Sequence, residues 1–198
     1  MPKPVQRIMR YVGQHGIVRP RDIENIGVPR EYLLRLCRQG KLIRSGRGIY
    51  SLPEAQITEH HSYAEVAKRV PEAVFCLLSA LAFHEITTQS PASVWIALRQ
   101  GARTPAINSP SLRIVRLSAP SLAEGIENHK VEGVPIRVYS VAKTVADCFK
   151  FRNKIGLDVA IEALKDSVRQ KKATVNEIYR YSKICRVSNV IRPYLEAL

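Results

Sequence analysis

Apolar residues at the start of the chain fall at helical spacing. Val5, Ile8, Met9 and Val12 recur at i, i+3, i+4 and i+7, predicting a helix from Pro4 to about Gln14 that ends at His15-Gly16. Ile17-Val18-Arg19 reads as a brief extended link, Pro20 opens a second short helix, and Gly27 closes it. A third helix begins after Val28-Pro29, with Leu33, Leu36 and Cys37 on its inner side and Gly40 as its stop. The period then shortens. Leu42-Ile43-Arg44 and Ile49-Tyr50-Ser51-Leu52 are strand-like runs around Ser45-Gly46-Arg47-Gly48, whose glycines suit a tight hairpin. Three helices followed by a hairpin is the layout of a winged helix-turn-helix. Leu52-Pro53-Glu54 marks its end, so residues 1–57 are expected to form one domain and residues 58–198 another.

The second domain changes period more often. Tyr63, Val66, Ala67 and Val70 predict a helix ended by Pro71, Phe75–Leu78 fits either a strand or a helix start, and Ser79 is a good N-cap for a short helix through Phe83. Strand-like runs follow at 94–98, 112–117, 126–131 and 134–139, the last two flanking the hairpin dipeptide Glu132-Gly133. After Ser140 the apolar positions return to helical spacing through four segments that reach Leu198. The expected class is α+β: a winged helix-turn-helix, then a small antiparallel sheet with a C-terminal helical bundle.

Charge sharpens the first domain's reading. The chain of 198 residues carries a formal net charge of +14, distributed as +7 over residues 1–57, +1 over 58–139 and +6 over 140–198. A basic surface favours a polyanionic partner. On the third helix Arg30, Arg35 and Arg38 lie away from the apolar side, and Arg44 and Arg47 belong to the hairpin. Guanidinium groups match phosphate oxygens and the acceptor pair on guanine, so these five are candidates for DNA contact. Tyr32 is a candidate for a sugar or phosphate, or else for covering the core. Arg19, Arg21 and Lys41 are candidates for backbone contact. For any one of them a solvated surface is the alternative. The basic residues between Lys150 and Arg186 are read first as solvated helix faces, and second as an extension of a nucleic-acid surface.

Catalytic chemistry finds little support. Cys37, Cys76, Cys148 and Cys185 are far apart, lack any CxxC pair, and read as reduced core thiols. His60-His61, His84 and His129 have no acidic or cysteine partner at metal spacing. Ser140-Val-Ala-Lys143 matches S-x-x-K, but SDN and KTG are missing, so a helix N-cap followed by a solvent-facing lysine is expected. Lys143 and Asp147 read as an ordinary i, i+4 helix pair. No cofactor, no metal and no enzyme activity are expected. The N-terminus lacks the apolar core of a signal peptide and no apolar run approaches a membrane span, which makes the cytoplasm the expected compartment.

The order of the basic first helix, R-P-R-D-I at residues 19–23 and V-P-R-E-Y-L-L-R-L-C-R-Q-G-K-L-I-R-S-G-R-G-I-Y at 28–50 resembles the AbiEi family of antitoxins from type IV toxin–antitoxin systems. Ser79-Ala80-Leu81, Val94–Leu98, Gly101-Ala102-Arg103, Leu112–Arg116 and Val138–Cys148 stand in the order that family shows. The resemblance implies a transcriptional autorepressor on operator DNA upstream of its own operon. It implies as well an antitoxin in abortive infection and phage defence, whose functional partner is a nucleotidyltransferase-like toxin. Two readings from other classes stand beside it: a nucleic-acid-processing enzyme targeted by the winged helix, and a non-catalytic protein-interaction module.

Overall fold

A computed structural model of the chain describes residues 3–55, 57–87 and 91–198. Its contacts divide the chain into two compact units, Met1–Pro71 with Lys130–Ile136, and Glu72–His129 with Arg137–Leu198.

In the first unit α1 (Pro4–His15), α2 (Pro20–Asn25) and α3 (Glu31–Arg38) precede a two-stranded wing, β1 (Ile43–Gly46) and β2 (Ile49–Ser51). The apolar stripe does what its spacing predicts. Ile8 and Val12 of α1 meet Ile23, Leu33, Leu36 and Leu42 in one core, with Val5 and Met9 packed at its margin. The link before α2 joins the wing, because Val18 and Tyr50 exchange both backbone hydrogen bonds at 2.9 Å. The wing's strands run closer to the tip than the sequence indicates, leaving only Arg47 and Gly48 between them.

The unit continues past residue 57. Helix α4 (His61–Arg69) packs beside the wing: a side chain at Gly46 would meet the Arg69 guanidinium, and the Glu65 carboxylate lies next to it. Lys68 Nζ is 3.0 Å from Asp22 Oδ2 of α2, with both side chains mostly buried. Proline 53 does end the wing, but these contacts carry the compact unit on to Pro71. Residues 130–136 complete it. Glu132 accepts hydrogen bonds from the Thr58 backbone at 2.7 Å, the Thr58 hydroxyl at 2.9 Å and His61 Nδ1 at 2.6 Å. Those bonds hold the Glu132 carboxyl below its usual range, although burial pushes it the other way and is the largest single influence. At the end of α1, Gly16 (φ 62°) lies so close to the Glu132 carbonyl that any Cβ would overlap it.

The second unit holds a five-stranded sheet in the order β5-β4-β3-β7-β6. The strands are β3 (Val74–Phe75), β4 (Val94–Arg99), β5 (Leu112–Leu117), β6 (Ile126–Val131) and β7 (Val134–Tyr139), the two-residue turn Glu132-Gly133 making β6 and β7 a hairpin. The α+β class holds. The expected small antiparallel sheet is met by the β6–β7 hairpin and by β3–β4, whereas β3–β7 and β4–β5 pair in parallel. Parallel pairing needs a crossover between strands: residues 100–111 supply it between β4 and β5, and β3 and β7 are joined only through the elements between them, beginning with α5 (Leu77–Phe83). Cys76, not Ser79, is the N-cap of α5; Ser79 is buried inside the helix, where its hydroxyl accepts from the Trp95 backbone at 2.8 Å.

Around the sheet stand α6 (Ala119–Ala123), α7 (Val141–Lys150), α8 (Arg152–Ile155), α9 (Leu157–Arg169), α10 (Val175–Cys185) and α11 (Ser188–Glu196). The short α6 and α8 are additions to the pattern read from sequence. Helix α7 is central: Val145, Ala146, Cys148 and Phe149 are fully buried among residues of α9, α10 and the sheet. Ser140 caps it, accepting from the Lys143 backbone at 3.4 Å.

Lys143 itself is a correction. Its side chain is 0% exposed and not solvent-facing, and its ammonium lies 2.5 Å from Asp147, 1% exposed. The Lys143 stem lies so close to Gly125 that a Cβ there would overlap it, and its charge sits 4.2 Å over the Tyr139 ring. Cys185 donates to the other Asp147 oxygen at 3.2 Å. The pair is therefore a buried ion pair. Burial first, and the Asp147 charge after it, push the Cys185 thiol up to about 12 and the Cys148 thiol higher still. Such thiols stay protonated and unreactive, in keeping with free, structural cysteines.

Candidate nucleic-acid interface

Helix α3 owes its exposed face to its own periodicity. Leu33 and Leu36 are fully buried, which turns Glu31, Leu34, Arg35 and Arg38 outward at i, i+3, i+4 and i+7. Arg35 and Arg38 stand on the last turn, and neither forms an ion pair among the described residues. Two such guanidinium groups on one exposed stripe form a surface for anions. Arg30 lies just before the helix and faces Glu24 at 4.0 Å, with both side chains largely exposed, so solvent leaves that pair weak.

The wing adds a second cationic element. Arg47 is exposed at the turn between β1 and β2 and has no ion-pair partner among the described residues. Arg44 is exposed on β1, its Nε donating to the Gly46 carbonyl at 3.2 Å. Arg44 also lies near α3, because its charge offsets part of the upward shift that burial imposes on the Cys37 thiol. Lys41 is exposed in the link between α3 and the wing, and Arg21 is exposed on α2.

Two candidates stand apart. Tyr32 is half-buried and packs at the margin of the core, which is the covering role read as its alternative. Arg19 is half-buried; its backbone N–H donates to Asp22 at 2.9 Å and its Nε is enclosed without a hydrogen-bond partner among the described residues. The fold thus gathers Arg35, Arg38, Lys41, Arg44 and Arg47 along α3 and the wing that follows it. Leu34, half-exposed on the same stripe, went unassigned in the sequence, where it reads as one apolar residue in Leu33-Leu34-Arg35-Leu36. The spacing of Glu31, Arg35 and Arg38 places it on their face.

Two histidines of the second unit are held by neighbouring groups. His84 Nε2 bonds the Tyr139 carbonyl at 2.8 Å, and burial lowers its pKa. His129 Nε2 lies 3.3 Å from Glu127. Among the described residues no group of three histidine, cysteine or acidic side chains is disposed to hold a metal ion, and no helix is long and apolar enough to cross a membrane.

Three helices, a two-stranded wing and an exposed cationic third helix define a winged helix-turn-helix. Residues 6–53 match a family described as "Transcriptional regulator, AbiEi antitoxin". The match ends at the wing, so the second unit is compared through its fold. The structure is similar to the crystal structure of RV2827C protein from Mycobacterium tuberculosis, with a TM-score of 0.55 and 14% identity, covering 91% of this chain and 71% of that one. At that identity the likeness is one of fold. No curated protein matches the chain.

Proposed function

We propose that this protein is a sequence-specific DNA-binding autorepressor and the antitoxin of a type IV, abortive-infection operon, acting in the cytoplasm. Helix α3 enters the major groove, where Arg35 and Arg38 meet base edges and phosphates, and the wing holds the flanking backbone through Arg44 and Arg47. Lys41, Arg21 and Arg30 add backbone contacts. The observation that carries this reading is the exposed guanidinium pair on the α3 stripe, without ion-pair partners among the described residues, next to a wing tipped by Arg47. Buried cations need partners in the fold, and exposed ones without partners are available to a polyanion.

The family supplies the second part of the reading. Residues 1–57 make the DNA contact, and residues 58–198 counteract a nucleotidyltransferase-like toxin encoded beside the antitoxin. The test is competition binding of the purified protein to DNA from immediately upstream of its own gene, against unrelated DNA at near-physiological salt. A preference of about a thousandfold or more is expected of a specific regulator. Equal competition by unrelated DNA would refute it.

A further inference from the structure

The exposed stripe of α3 contains one residue that charge does not explain. Leu34 is 50% exposed, whereas its neighbours Leu33 and Leu36 are fully buried in the domain core. The helix does not require an apolar residue there, since arginine, lysine, glutamine or glutamate propagates a helix about as well. A single exposed leucine on a protein surface is ordinary. Its setting is not: Leu34 adjoins Arg35 and lies one turn before Arg38 on the same face, both cations without ion-pair partners among the described residues. The positive charge around it selects a polyanion as the occupant of this face. In a B-DNA major groove the apolar group presented to a side chain is the 5-methyl of thymine.

We propose that Leu34 is a specificity-determining residue that packs against a thymine 5-methyl group, flanked by the base or phosphate contacts of Arg35 and Arg38. This rests on α3 being the recognition helix. The contact removes part of the exposed leucine and the methyl group from water, so it discriminates thymine from cytosine and from uracil, which lack that methyl. Arginine at the flanking positions favours guanine next to it. The half-site is therefore expected to contain a thymine within one or two base pairs of a guanine.

The experiment uses the full chain and a duplex selected by it from random-sequence DNA. Each thymine of that duplex is replaced in turn by deoxyuridine, which deletes only the methyl group, and binding is measured for the wild type and for Leu34→Ala. Alanine at this exposed position keeps the helix, and an unchanged unfolding transition verifies it. At one thymine per half-site the wild type is expected to lose about fourfold in affinity, the worth of one buried methyl-sized group, while Leu34→Ala shows no loss there. Equal sensitivity of both proteins at every thymine, or a selected site with no methyl-sensitive position, overturns the role of Leu34 and leaves DNA recognition by α3 standing. If selection enriches no sequence at all, the regulator reading falls first and the Leu34 contact with it.

Discussion

Two sites in the molecule, one in each unit, treat positive charge in opposite ways. In the second, the Lys143 ammonium is buried and bonded to Asp147, which also accepts from Cys185. In the first, Arg35, Arg38 and Arg47 stand exposed on a short helix and a wing, without ion-pair partners among the described residues. A buried ion pair gives little net stability, because desolvation offsets much of the attraction, yet breaking it leaves one charge stranded in the core. An exposed unpaired arginine does almost nothing for the fold. A basic side chain is thus structural at Lys143 and available for binding on α3 and the wing, and mutation separates the two roles.

The largest effect is expected at Asp147. Asp147→Ala strands the buried Lys143 ammonium over the Tyr139 ring and should destabilise the second unit by about 3–5 kcal/mol. The chain's only tryptophan, Trp95, lies on β4, so denaturant unfolding followed by tryptophan fluorescence reports this unit. The double replacement Lys143→Met with Asp147→Leu removes both charges and should recover most of the loss. If Asp147→Ala unfolds like the wild type, the pair is not the buried keystone its geometry indicates.

Next in size is Gly16→Ala in the first unit. The new Cβ would overlap the Glu132 carbonyl at a positive φ, with an expected cost of about 2–3 kcal/mol. Amide hydrogen exchange of α1 and of the Thr58–His61 segment should rise, and unaltered protection would argue against the close approach. The smallest effect is expected at the wing tip. Arg47→Ala should leave stability unchanged and weaken DNA binding by about 1 kcal/mol regardless of sequence, lowering the salt slope by about one. A change in base preference instead would move Arg47 from phosphate contact to base reading.

Much of this arrangement was legible in the sequence where local period decides structure. The stripe Val5-Ile8-Met9-Val12 gave α1 to within a residue, and the runs 126–131 and 134–139 around Glu132-Gly133 became β6 and β7 with the expected bounds. Helix α3 and its cationic face were legible for the same reason. Lys143 was not. A Lys–Asp pair at i, i+4 reads alike whether water or Tyr139 lies over it, and Gly125, which lies close against the lysine stem, is many positions away. The extent of the first unit was hidden likewise, because Pro53 looks like a boundary until Lys68 is seen to reach back to Asp22. The parallel strand pairs depend on crossovers, which no local pattern encodes.

The central claim is that the exposed guanidinium groups of α3 carry DNA recognition and do not carry the fold. It is tested most directly by the operator affinity of an Arg35→Ala, Arg38→Ala protein beside the wild type at near-physiological salt, on material whose unfolding matches the wild type. The account predicts a loss of about a hundredfold, the two contacts together being worth about 3 kcal/mol. Unchanged affinity in a correctly folded double variant would contradict it.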